Sequence, residues 1–80
     1  MVTRSNRRDV RNPILALPAF QRLQALPPEA KAALAAALTD LGLEARRKAD
    51  QSWAKSKPPM AAYWAATAVY SKHIRRALQS

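Results

Sequence analysis

The chain has 80 residues, with fourteen Lys and Arg against five Asp and Glu, so its formal charge is +9. That size allows one small domain, and because alanine supplies 18 of the apolar residues while Leu, Ile, Val and Phe together supply fifteen, a large buried core is excluded. The absence of cysteine rules out disulfides and thiolate metal sites, the single glycine rules out a glycine-rich phosphate loop, and no uninterrupted apolar run is long enough to span a membrane.

Residues 1 to 12 read as a polar arm. Arg4, Arg7, Arg8 and Arg11 face only Asp9, and Met1, Val2 and Val10 are all it has to bury. Such a segment is expected to be flexible until it meets a partner. Its charged start lacks the apolar stretch of a signal peptide, so a cytoplasmic setting is expected.

Residues 13 to 80 are expected to form a single helical domain. The first helix is predicted over residues 18 to 26, because Pro18 suits a first helical turn and Pro27-Pro28 ends it. The second is predicted over 29 to 55, opening on proline and an acid where both are favoured. On it Leu34, Leu38, Leu41 and Ala45 recur with helical spacing. Gly42 weakens the middle of this helix by ~1 kcal/mol relative to alanine and permits a close helix contact. Ser56-Lys57-Pro58-Pro59 is a turn, and the third helix follows over 59 to 78. Its predicted apolar stripe is Met60, Tyr63, Trp64, Thr67, Tyr70, Ser71, Ile74 and Leu78.

The fold class that follows is all-α: a small three-helix bundle dominated by a long antiparallel hairpin. The Leu stripe and the Tyr/Trp stripe are expected to face each other, with Trp64 as an aromatic plug. The first helix is expected to fold back along the start of the second, delivering the arm toward the hairpin turn. So thin a core also allows self-association.

Around Lys57-Pro58-Pro59-Met60-Ala61-Ala62-Tyr63-Trp64, and in the Ala/Leu run before it, the chain resembles small helical proteins of bacteriophages and prophages of high-GC proteobacteria. The resemblance covers roughly residues 13 to 78. It implies a bacterial host cell and a protein that binds host or phage macromolecules, including inhibitors of host defence such as CRISPR inhibitors. It brings no catalytic residue with it.

Charge narrows the candidate contacts. Residues 46 to 58 carry five bases and one acid, whereas residues 29 to 45 are net acidic. Asp40 and Glu44 are expected to lie beside Arg75 and Arg76 and to offset them. Arg46, Arg47, Lys55 and Lys57 are then the fixed basic patch, and Arg4, Arg7, Arg8 and Arg11 the clamp beside it. Trp53 lies off the Leu stripe and is a candidate for stacking on unpaired bases. The lone His73 has no partners spaced for a metal or a triad, and the acids do not converge in pairs, so neither catalysis nor a cofactor is expected. The leading expectation is a non-enzymatic module that engages nucleic acid or a nucleoprotein through phosphates. The alternative is a phage-encoded inhibitor or adaptor docking on an acidic protein surface, which attracts the same field.

Overall fold

The computed structural model describes residues 12 to 79, which hold a short 3-10 turn, Pro13–Ala16, and three α-helices. These are α1, Pro18–Gln24, α2, Pro28–Ala54, and α3, Pro58–Leu78. The all-α class and the long hairpin are as expected, with α2 and α3 packed along their length. Each helix begins on a proline at its first position, and none uses a side-chain cap. Proline is pre-set for helical φ and lacks the N–H that would otherwise go unpaired there.

The α2–α3 turn is closed by backbone alone. The Ser56 N–H donates to the Trp53 carbonyl at 3.0 Å, and the Lys57 N–H donates to the Ser52 carbonyl at 2.8 Å. This is the Schellman pairing, which requires a left-handed residue between the two helices. Ser56 takes that role at φ 55°, without the freedom glycine would have.

The helices meet along a seam of small residues. On α2 the buried positions are Ala35, Ala45 and Ala49, with Gly42 between them; on α3 they are Ala61, Ala68, Ser71, Ala77 and Leu78. Ala35, Gly42 and Ala49 are seven apart, as are Ala61 and Ala68, and Ser71 and Leu78. This is the heptad spacing that keeps one face on a partner helix. Backbones approach closely here: a methyl group built on Gly42 would lie 3.8 Å from Ser71 Cβ and 3.9 Å from the Ala68 carbonyl oxygen. The hydroxyl of buried Ser71 donates to the Thr67 carbonyl at 2.7 Å, so the seam can take a serine among its alanines.

The two large-residue stripes therefore do not face each other as expected. Ala45, Ser71 and Leu78 of the expected stripes do lie in the seam, but the seam is centred one helical step to the side, so Leu34, Leu41, Met60, Tyr63, Tyr70 and Ile74 fall toward one flank of the hairpin. Leu34, Leu38 and Ile74, with Ile14, Leu15 and Leu23 of the N-terminal segment, pack around a core of Phe20, Ala77 and Leu78. Beyond this cover the rest is open: Leu41 is 42% exposed, Met60 45%, Tyr63 59% and Tyr70 64%. Trp64 is half-buried rather than a plug. The aromatic that does fill the core is Phe20, at 3% exposure, against Ala77 and Leu78.

Two side chains bind the N-terminal segment to α3. Asn12 Nδ2 donates to the His73 carbonyl at 2.8 Å, and Gln24 Nε2 donates to the Ala77 carbonyl, in the last turn of α3, at 3.3 Å. His73 stands fifteen residues beyond Pro58, about 22 Å along the helix at 1.5 Å per residue. The chain thus enters the hairpin toward its open end, not toward its turn as expected, because the apolar residues that hold it are Leu34, Leu38 and Ile74.

Three substitutions test this packing. Gly42→Ala should raise the urea midpoint by the equivalent of about 1 kcal/mol, since the methyl meets only ordinary contact distances while helix propensity improves. Phe20→Ala should cost about 3–5 kcal/mol, enough to unfold much of so small a domain. Trp64→Ala should cost less, roughly 2–3 kcal/mol, because Trp64 is only partly buried whereas Phe20 is almost wholly so. Equal losses from the two substitutions would place Trp64 in the core after all.

Candidate nucleic-acid interface

Close packing of α2 on α3 leaves room only at the two flanks for long side chains, and the basic residues are divided between them. On one flank a groove is lined by Thr39, Gly42, Leu43, Arg46, Ala68, Lys72 and Arg75, among others. Small seam residues form its floor, and the three bases stand along its edges. Arg75 donates from Nη1 to Gln79 Oε1 at 3.0 Å, so its hydrogen-bond partner is a neutral amide on its own helix. The expected offset by Asp40 and Glu44 is thus not a direct contact of this kind. Arg46 and Arg75, which the sequence reading assigned to separate groups, share this groove.

The opposite flank carries a second groove near the turn, lined by Lys48, Gln51, Ser52, Lys55, Lys57, Met60 and Trp64. Lys48 follows Leu41 by seven residues, and Lys55 follows Lys48 by seven, so one stripe of α2 changes from leucine to lysine on approaching the turn. Trp64 is held by Tyr63, their rings 4.9 Å apart at 78° in an edge-to-face pair.

Of the four bases expected to form one fixed patch, Arg46 lies on the first flank and Lys55 and Lys57 on the second. Arg47, one residue further round α2, projects from its outer face, and all four are exposed. Arg4, Arg7, Arg8 and Arg11 lie outside the described residues. Trp53 is 64% exposed, four positions after Ala49 of the seam and seven after Arg46, so it extends the first flank toward the turn. Lys48, Lys72 and Arg75 were missed as site residues. The signal that would have found them is the seven-residue recurrence of alanine and glycine, which fixes the faces of both helices; the leucine spacing points instead to the flank.

Among the described residues, no group of three or more His, Cys, Asp and Glu could hold a metal ion, and no helix is long and apolar enough to cross a membrane. No family model, curated protein or solved structure matches the chain.

The seam and the exposure of Trp53 lead to a simple check. Trp53→Phe should leave the unfolding free energy from urea titration within about 0.5 kcal/mol, as expected for a surface position. A large loss on that substitution would mean that Trp53 packs against another surface in solution.

Proposed function

We propose that this protein is a non-enzymatic binding module that holds nucleic acid, alone or in a nucleoprotein, through its phosphates. The observation that supports this reading most is the distribution of base along the hairpin. Described residues carry ten Lys and Arg against four Asp and Glu, and Arg46, Arg47, Lys48, Lys55, Lys57, Lys72 and Arg76 are all exposed. Exposed cations on both flanks of a rigid rod can follow a phosphate backbone, displacing its counterions as they do so. A groove floored by alanine and glycine offers shape and charge, with few side chains suited to reading base edges, so sequence-independent contact is the natural mode.

The rival reading is a phage-encoded inhibitor or adaptor that docks on an acidic protein surface in a bacterial cytoplasm. It draws on Leu43, which is 59% exposed within the Arg46–Lys72–Arg75 groove and gives that groove an apolar contact.

Fluorescence anisotropy with labelled DNA and RNA at several salt concentrations separates them. Binding should weaken steeply with salt. Changing Arg46, Lys72 and Arg75 together to Ala should lower the logarithmic salt slope by roughly 2–3 if each touches a phosphate. Failure to bind either nucleic acid at low salt ends the leading reading. Loss of affinity at an unchanged slope favours the acidic protein surface.

A further inference from the structure

The uncovered half of the aromatic flank is not needed by the hairpin seam. Its exposed rings, Tyr63 and Tyr70, stand seven residues apart on α3, about 10 Å along the helix axis. Trp64 sits beside Tyr63, and the same flank is bordered by Lys48, Lys55 and Lys57. The N-terminal segment covers the end of this flank far from the turn and reaches as far as Tyr70, which lines a cavity with Asn12, Pro13 and Ile14 yet stays exposed; Tyr63 lies beyond it toward the turn. A row of exposed rings beside a row of ammonium groups needs a ligand with flat apolar faces and a continuous anionic chain.

We propose that this flank is a track for single-stranded nucleic acid, with unpaired bases stacking on Tyr63 and Tyr70 and phosphates running along Lys48, Lys55 and Lys57. The proposal rests on the nucleic-acid reading above and adds the strandedness of the ligand and its location. A duplex keeps its base faces stacked inside and can meet only the charges, whereas an unpaired strand can use both rows. The charge also argues against a second copy of this chain as the occupant, since facing lysines would repel.

The test uses the full chain with Trp53→Phe, so that Trp64, on this flank, is the remaining tryptophan. The probes are an oligothymidylate of about 20 nucleotides, long enough for one site, a duplex of the same length, and polyglutamate. The expected result is quenching of Trp64 by the single strand at a concentration about tenfold or more below that required by the duplex. Tyr63→Ala and Tyr70→Ala should each weaken single-strand binding about fivefold or more while leaving duplex binding unchanged. Both tyrosines are exposed, and circular dichroism checks that each variant keeps its helicity. Tyr63→Phe and Tyr70→Phe should retain binding, because the ring and not the hydroxyl does the stacking.

Three results overturn the proposal. Equal affinity for single strand and duplex, insensitive to both tyrosines, removes the stacking track and leaves the phosphate reading standing. Polyglutamate that quenches Trp64 as tightly as the single strand, with the same dependence on the tyrosines, assigns the flank to an acidic polypeptide. Absence of binding to either nucleic acid at low salt removes this proposal and the reading beneath it together.

Discussion

The structure depends on how closely two helical backbones can approach. Alanine, glycine and serine at the α2–α3 seam bury little area per residue, so stability there comes from many short contacts between backbone and methyl groups. A seam of this kind tolerates little bulk. Leucines and aromatics that would fill the centre of a wider bundle are displaced to its edges. The same constraint raises the long basic side chains along both flanks and leaves shallow grooves between them.

The displaced apolar residues meet two fates. Toward the open end of the hairpin, Leu34, Leu38 and Ile74 receive the N-terminal segment, whose Phe20 becomes the one large aromatic buried among the described residues. Asn12 and Gln24 hold that segment in place through carbonyls of α3. Toward the turn, Leu41, Met60 and Tyr63 stay exposed, while Tyr70 stands at the border, lining a cavity with Asn12, Pro13 and Ile14. On this flank the end far from the turn is covered and the turn end is not, and the uncovered end coincides with the lysines.

Electrostatics and packing support a binding role in different ways. The excess of base would draw any polyanion, at a rate and strength that fall with salt. The seam makes the hairpin a straight scaffold on which those charges keep their spacing, because a helix pair locked by short contacts cannot shift register without opening gaps. The acids are spread along α2, and among the described residues no three of His, Cys, Asp and Glu converge on a point where a metal ion could sit.

Much was legible from residue order alone. The three prolines that start the helices, the turn at Ser56 and the approximate helix ends follow from local stereochemistry, which acts within a few residues and needs no partner. The net charge and its concentration after residue 45 are likewise properties of the sequence. Which face of each helix became the seam was decided only by tertiary structure. Leucine spacing marks a face as apolar without saying what it meets, and here Leu34 and Leu38 pack on Phe20 of α1 as well as on the end of α3, while Ala45 and Ala49 are buried in the seam. For the same reason the sequence misplaced the aromatics, and it grouped Arg46 with Lys55 when a rotation of α2 sets them on opposite flanks. The entry point of the chain near His73, far from the turn, was also invisible, since it depends on where an apolar surface remains uncovered after the hairpin has closed.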